Sequence, residues 1–121
     1  MKTITNMRPL SVAKAHYIRC DFSHTNLSGL DLSGSTFDCC NFYDTDLQHT
    51  TLAGCSIIRS DFRKALMPFA DLSNSVIQFC DFEQAVMPQI NYENSRISYC
   101  SFSKSILYAI GKAIVLYCEF N

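Results

Sequence analysis

The sequence has no tryptophan, only four glycines and three prolines, and almost no net charge. The glycines are scattered, so the chain has no glycine-rich loop of the kind that binds phosphate. A formal charge of −1 at pH 7 excludes a uniformly basic surface for direct nucleic-acid binding. The most apolar window, residues 105–118, is interrupted by Gly111 and Lys112 and is shorter than the roughly 20 residues of a membrane span. We therefore expect neither direct nucleic-acid binding nor a membrane span.

A secretory signal is also missing, because the first ten residues, MKTITNMRPL, contain no apolar core. The chain nevertheless has seven cysteines, an odd number. Without a secretory signal, an odd number of cysteines at regular positions indicates free thiols in a reducing compartment. We therefore predict a cytoplasmic protein of one domain, since 121 residues with 48% apolar content suffice for a single core.

A period of five residues organises the chain from position 20 to position 109. Every fifth residue from Phe22 to Leu107 is large and apolar, which gives eighteen positions in one phase. The residue two positions earlier is small in every repeat except those that begin with Leu30 and Ile90. A period of five matches neither a helix of 3.6 residues per turn nor an alternating strand. It predicts three-residue extended segments, with a small and a large residue pointing inward, joined by two-residue corners.

A second period of twenty residues is superimposed on the first. Every fourth repeat has phenylalanine at the large position, and four of these five repeats have cysteine at the small position. Residues twenty apart should therefore be stacked in successive coils about 4.8 Å apart, which gives roughly 4.5 coils and a rod about 22 Å long. The predicted core ladder consists of Phe22, Phe42, Phe62, Phe82, Phe102, Cys20, Cys40, Cys80 and Cys100.

The segments 70–74 (ADLSN), 25–29 (TNLSG) and 80–84 (CDFEQ) resemble the pentapeptide-repeat family, whose pattern is A-(D/N)-L-x-x. The resemblance covers eighteen repeats, and it implies an all-β fold, a right-handed quadrilateral parallel β-helix with four pentapeptides per coil. We expect a short N-terminal cap over residues 1–19, the β-helix over residues 20–109, and an irregular C-terminal segment with a partial coil over residues 110–121. The alternative for residues 1–19 is a basic arm that docks on an acidic partner, because they contain four basic residues and no acidic one.

The register fails after Leu107, because Lys112 occupies the next large position. The pattern returns as Cys118-Glu119-Phe120, eighteen residues after Cys100-Ser101-Phe102. A deletion of two residues in between would place Phe120 on the phenylalanine ladder again. A last coil with an open strand edge also predicts end-to-end self-association.

The side chains that could carry chemistry follow the repeat. Zinc requires four ligands around one point, whereas the ladder cysteines would lie in a line, so we interpret them as small buried core thiols. Cys39 falls on a corner, where we predict an exposed and reactive thiol. His24 and His49 also fall on corners, with no nucleophile beside them. We expect the recurrent aspartates, such as Asp21, Asp61 and Asp81, to bond to the backbone or hydroxyls of the next coil. The sequence therefore predicts no enzyme, no metal site and no cofactor.

Apolar residues at outward positions of the second half are the informative departures from the repeat. They replace Asn26, Ser28, Asp46 and Gln48, which lie on the same side of the lower coils. A contiguous apolar patch on a protein surface usually marks an interface, unless residues 110–121 cover part of it. We therefore predict a protein–protein interaction or assembly module that binds a protein partner or itself. The predicted interface consists of Leu66, Pro68, Phe69, Phe79, Val86, Pro88, Tyr99, Ile106 and Tyr108.

Two other functions are compatible with the sequence. Some pentapeptide-repeat proteins confer quinolone resistance by resembling a DNA duplex and binding DNA gyrase, and the repeats of Cys-Asp-Phe type are similar to theirs. However, a duplex 22 Å long carries about 13 charges, whereas residues 20–109 contain ten acidic and five basic residues, a net charge of −5. The other alternative is an enzyme that uses Cys39 as a redox-active thiol.

Overall fold

The computed structural model of the protein describes residues 2–3 and 13–121, and within these ranges it contains strands and no helix. Most of the predicted N-terminal cap therefore lies outside the described residues. The strands are β1 (Lys2–Thr3), β2 (His16–Ile18), β3 (Cys20–Asp21), β4 (Thr36–Asp38), β5 (Ser56–Ile58), β6 (Val76–Gln78), β7 (Val86–Asn91), β8 (Arg96–Ser98), β9 (Ile106–Ile110) and β10 (Ile114–Leu116).

Parallel pairing between residues twenty apart builds the molecule. A six-stranded sheet has the order β10-β8-β6-β5-β4-β2, in which Phe37 pairs with Ile57 and Ile57 with Ile77. Isolated bridges on the other sides keep the same offset, as in Asp21 with Asn41 and Asp31 with Thr51. The chain therefore forms a right-handed quadrilateral β-helix, as predicted, with about five coils where the sequence predicted roughly 4.5.

Each coil has four sides, which we call faces 1 to 4 in chain order. On face 1 the inward residues are Phe22, Phe42, Phe62, Phe82, Phe102 and Phe120. On face 2 they are Leu27, Leu47, Met67, Met87 and Leu107, and on face 3 they are Leu32, Leu52, Leu72 and Tyr92. On face 4 they are Tyr17, Phe37, Ile57, Ile77, Ile97 and Val115.

The core is a set of vertical stacks. The rings of Phe42 and Phe62 lie 4.5 Å apart with 7° between their planes, and the other neighbours in this ladder are 4.8 to 5.0 Å apart. The small inward residues add hydrogen bonds between coils. The Thr45 hydroxyl donates to the Phe22 carbonyl at 2.8 Å, and the Cys55 thiol donates to the Leu32 carbonyl at 3.2 Å. A small side chain with a donor group therefore fits beside the large inward residue and forms a hydrogen bond with a buried backbone carbonyl.

The corners require a left-handed backbone. Among the described residues, seventeen that are not glycine have a φ between 51° and 60°, and all of those after Lys14 end a repeat. The outward aspartates support these turns, because the Oδ1 atoms of Asp21, Asp61 and Asp81 accept the backbone N–H two residues later, each at 2.9 Å. This hydrogen bond lowers the pKa of Asp21, where the Ser23 hydroxyl and N–H both donate. The predicted bonds from these aspartates to the next coil are therefore wrong, since the short side chain reaches the amide of its own turn.

The regular stack begins earlier than predicted. Residues 16–18, expected within the cap, form β2 at the lower end of the six-stranded sheet. Tyr17 is buried and stacks on Phe37, with ring centroids 4.9 Å apart and 5° between the planes. The segment Ala15-His16-Tyr17 has the small–polar–large order of a repeat, and Tyr17 fills a position that phenylalanine occupies one coil above.

The last coil is two residues shorter than the coils below it. Pairing between β7 and β9 shifts by one residue between Pro88 and Ile90, and the offset has fallen to eighteen where Arg96 pairs with Ile114. Phe120 then stacks on Phe102 at 5.1 Å with 5° between the planes, which confirms the predicted return to the ladder. Gly111 makes this possible with a φ of 97°, since a Cβ there would come within 2.9 Å of the Glu93 Cα.

Phe62 tests the ladder, because its ring is fully buried between two others. We expect Phe62→Ala to lower the free energy of unfolding by about 3–5 kcal/mol, through lost burial and the cavity that remains. Phe69→Ala, which truncates a half-exposed ring, is the matched control and should cost far less. Denaturant unfolding followed by circular dichroism measures both values. Equal losses in the two variants would contradict the stacked core.

Candidate functional site

One apolar surface lies on the upper half of face 2. Along its first outward row, Asp46 pairs with Leu66, Leu66 with Val86 and Val86 with Ile106, so the row changes from polar to apolar going up. In the second row, Pro88 pairs with Tyr108. Tyr108 is 71% exposed and Ile106 is 52% exposed, whereas Val86 and Pro88 are half-buried. We call this surface the face 2 patch; it consists of Leu66, Pro68, Phe69, Val86, Pro88, Ile106 and Tyr108.

The two remaining predicted interface residues, Phe79 and Tyr99, lie elsewhere. They occupy the corner between faces 4 and 1, where Phe79, Tyr99 and Tyr117 form an exposed stack with ring centroids 5.0 and 5.1 Å apart. Face 1, with polar outward residues such as Asp81, separates this aromatic column from the face 2 patch. The single contiguous patch predicted from the sequence is therefore two surfaces. The prediction was wrong because the corner that holds Phe79 and Tyr99 joins faces 4 and 1 and does not border face 2.

A groove of about 730 Å³ runs beside the aromatic column. The column forms one side, and the outward residues Asp61, Asp81 and Glu119 of face 1 line the other. Sequence reasoning missed Tyr117, although the eighteen-residue offset between Cys100 and Cys118 also relates Tyr99 to Tyr117. Arg59 and Arg63 line the groove together with these carboxylates, so it is an aromatic surface beside charges of both signs.

Ion pairs neutralise part of the acidic surface. Arg59 Nη2 lies 2.8 Å from Asp38 Oδ1, and Arg63 Nη2 lies 2.8 Å from Asp61 Oδ2. Such exposed pairs contribute little to stability, since solvent screens them. These ion pairs place positive side chains beside negative ones, so the described surface is not uniformly acidic.

The C-terminal segment leaves the face 2 patch uncovered. Residues 114–116 form β10 on face 4, and Glu119 pairs with Ser101 on face 1. The alternative in which residues 110–121 cover the patch is therefore wrong for the described side chains of that segment. The segment continues the stack instead, because Val115 and Phe120 return to inward positions.

The cysteines are free thiols in different environments. The ladder cysteines are 2–3% exposed, which confirms them as core residues, and burial raises the pKa of Cys40 to about 11. Cys39 is exposed, as predicted, and its reactivity stays a prediction. Within the described residues no three His, Cys, Asp or Glu side chains surround a common point where a metal ion could bind.

The predicted corner histidines do not form a catalytic arrangement. His24 Nδ1 lies 2.9 Å from Asp44 Oδ2 on the surface, and the His49 ring stacks on Phe69 at 5.0 Å. In the described part of the chain there is also no helix long and apolar enough to cross a membrane.

Comparisons with known proteins place the fold. A family model described as pentapeptide repeats, with eight copies, matches residues 18–54 and 40–78. A search of curated protein sequences found no match. A pentapeptide repeat protein from the thylakoid lumen of Arabidopsis thaliana superposes with a TM-score of 0.66 at 21% identity, over 79% of this chain and 64% of that one.

Two further solved structures are similar in fold. A pentapeptide repeat protein of the cyanobacterium Cyanothece 51142 gives a TM-score of 0.54 at 15% identity, over 88% of this chain and 60% of that one. QnrB1, a plasmid-mediated fluoroquinolone resistance protein, gives 0.54 at 14% identity, over 99% of this chain and 89% of that one. This chain spans less than two thirds of the Arabidopsis and Cyanothece proteins.

The matched family model covers 61 of the 121 residues, positions 18 to 78. Beyond that range the five-residue repeat continues to position 109, and the coil and the stacked phenylalanine ladder continue to Phe120. The chain belongs to the pentapeptide-repeat family.

Proposed function

We propose that the chain is a non-enzymatic interaction module that binds a protein partner, or a second copy of itself, through the face 2 patch. The observation that carries the proposal is the change along one outward row, from Asn26 and Asp46 to Leu66, Val86 and Ile106. The fold does not require apolar residues at these positions, because polar residues serve equally well in the lower coils. Adjacent outward apolar side chains on three successive coils, exposed at Leu66 and Ile106 and half-buried at Val86, favour burial against another protein.

The upper border of the patch adds a second means of recognition. β9 pairs with β7 on one side, and no strand of the described residues pairs with its other side. An open strand edge offers backbone N–H and C=O groups that a partner can use by adding a strand of its own. Ile106 and Tyr108 project from this same strand, so backbone pairing and apolar contact are available together.

The absence of an enzymatic function is part of the proposal. The recurrent carboxylates of Asp21, Asp61 and Asp81 are engaged in hydrogen bonds within their own turns. Catalysis by a thiol usually needs an adjacent base to activate it; Cys39 lies beside the Arg59 guanidinium, and no histidine of the described residues is hydrogen-bonded to it. The cytoplasmic location stays a prediction, supported by seven free thiols.

Val86→Asp tests the interface at its centre. Asp46 occupies the same outward position two coils below, so we expect the fold to remain and stability to change by about 0.5 kcal/mol. A buried, unpaired carboxylate at an interface centre should cost at least ~2 kcal/mol, or about a 30-fold loss of affinity. Sedimentation velocity measures self-association, and titration calorimetry measures binding to a purified partner.

Val76→Asp is the matched control, because it makes the same change at the same position of a repeat on face 4, where the side chain is 37% exposed. It should leave association unchanged. Association that survives Val86→Asp, or that both variants weaken equally, would overturn the assignment to face 2.

The alternative function is binding to DNA gyrase as a mimic of the DNA duplex. The QnrB1 likeness supports only the shared fold at 14% identity. The charge distribution favours the interaction module, since Arg59 and Arg63 neutralise Asp38 and Asp61 and the net charge of residues 20–109 is far below that of DNA.

Gyrase inhibition separates these two functions. We expect supercoiling by purified gyrase to continue unchanged with micromolar amounts of this protein, because the rod lacks the continuous negative potential of a duplex. QnrB1 in the same assay controls for the folded shape. A concentration-dependent loss of supercoiling would instead favour the DNA mimic.

A further inference from the structure

The aromatic column is a second apolar surface, which the proposed function does not use. Phe79, Tyr99 and Tyr117 lie on one corner of three successive coils and are 54%, 52% and 74% exposed. The equivalent corner residues of the lower coils are Cys39 and Arg59, which take the same left-handed turn. The geometry of the coil alone therefore does not account for three exposed rings in a column.

The rings are held in place before any partner binds. Neighbouring rings stack with 7° and 15° between their planes, so a partner that packs on them costs little side-chain entropy. The backbone at this corner is already paired, since the Phe79 N–H donates to the Ser98 carbonyl and the Tyr99 N–H to the Leu116 carbonyl, each at 3.1 Å. A partner therefore cannot bind beside these rings by adding a strand.

Two carboxylates of the groove beside the column have no ion-pair partner. The arginines that line the groove, Arg59 and Arg63, are already held in ion pairs with aspartates. Asp81 and Glu119 line the same groove, and within the described residues neither forms an ion pair, although Arg63 acts on Asp81 at longer range. Both pair with Ser101 along the backbone, so they lie two coils, or about 9.6 Å, apart. This charge favours a ligand with basic groups.

Hydrogen-bond donors line the groove as well. Tyr99 and Tyr117 contribute phenol hydroxyls, and the Ser101 hydroxyl, whose oxygen accepts the Ser103 N–H, has its own proton to donate. A polyproline II helix has no internal hydrogen bonds, and its prolines have carbonyl acceptors but no N–H. Hydroxyl donors beside an aromatic surface therefore match the backbone of a proline-rich segment.

The repeat of a polyproline II helix also matches the spacing of the column. Such a helix has three residues per turn and rises about 3.1 Å per residue, so residues three apart lie about 9.3 Å apart on one side. Phe79 and Tyr117 are separated by two ring spacings, of 5.0 and 5.1 Å. A helix that lies along the groove therefore presents equivalent side chains to the two ends of the column.

We propose that the groove beside the aromatic column binds a proline-rich segment of a partner protein, with basic residues flanking the prolines. The segment lies along the rod as a polyproline II helix, with its prolines against the rings and its basic side chains toward Asp81 and Glu119. Proline-rich segments bind aromatic-lined grooves because their conformation is fixed before binding. Face 1 separates this surface from the face 2 patch, so the protein can hold a different partner on each and bridge the two.

Fluorescence anisotropy of a labelled peptide tests this surface on the full chain. The probe is a run of six prolines between two arginines, and we expect it to bind saturably at micromolar concentration. A peptide with glycine and serine in place of the prolines should bind at least about tenfold more weakly, because it loses more conformational entropy on binding. A peptide with glutamates in place of the arginines should also bind more weakly, since Asp81 and Glu119 repel it.

Variants of the groove locate the binding. Tyr99→Ala removes the central ring and should weaken binding of the probe at least about tenfold, as for an aromatic residue at the centre of an interface. Asp81→Asn combined with Glu119→Gln should weaken binding of the probe and leave that of a peptide with alanines in place of the arginines unchanged. Phe69→Ala is the matched control, because it removes a similarly exposed ring from the face 2 patch, and it should have no effect.

Val86→Asp separates this surface from the face 2 patch, since it should leave binding of the probe unchanged whether or not face 2 is an interface. Circular dichroism verifies that every variant is folded, and asparagine at position 81 keeps the oxygen that accepts the Glu83 N–H at 2.9 Å. The proposal is overturned by a probe that does not bind saturably, or by binding that survives Tyr99→Ala. Equal binding of the glycine–serine peptide would also overturn it and indicate attraction between charges alone.

Discussion

The structure depends on parallel backbone pairing between residues eighteen to twenty apart. Every strand pairing in the described residues has this separation, from Lys2 with Cys20 to Leu116 with Ser98. No coil can satisfy its backbone alone, since most backbone hydrogen bonds of each three-residue segment join it to the coils above and below. The same constraint aligns equivalent side chains, so the phenylalanine ladder and the aromatic column of Phe79, Tyr99 and Tyr117 follow from the pairing. It also leaves open edges at the ends of the stack, which is why β9 can offer its backbone to a partner.

The sequence predicts this fold well because one constraint fixes both its periods. Phe62 must fill the core of its own coil, which produces the period of five, and it must stack on Phe42 and Phe82, which produces the period of twenty. Hydrogen-bond partners are harder to predict from the sequence, because the pattern allows a carboxylate at position 61 to bond either to its own turn or to the next coil. Only the geometry, with Asp61 Oδ1 2.9 Å from the Arg63 amide, decides between them. The same holds for Tyr17, whose hydroxyl obscures its equivalence to Phe37.

The candidate site was harder to predict than the core. Leu66, Val86 and Ile106 were identified as a surface because they break a polar pattern at one fixed position. Phe79 and Tyr99 also break the polar pattern, but they lie on the opposite side of face 1 from the face 2 patch. The sequence positions of such residues do not by themselves show which sides of a coil are adjacent. The end of the stack was the least predictable part. There a one-residue shift between Pro88 and Ile90 and the close approach of Gly111 to Glu93 decide the path of the last coil.

Outward and inward positions of the repeat are free to vary to different degrees. Outward positions tolerate aspartate and isoleucine in the same row, so an apolar surface can be added without altering the coil. Inward small positions are more restricted, because little space remains beside the large residue: between positions 20 and 105 all of them except Leu30 and Ile90 are serine, threonine, alanine or cysteine. Serine, threonine and cysteine at these positions also donate to a backbone carbonyl of the coil below, as Ser75 does to Leu52 at 2.8 Å and Cys55 does to Leu32 at 3.2 Å. A recognition surface can therefore change at the outward positions while the inward positions keep the coils packed and paired.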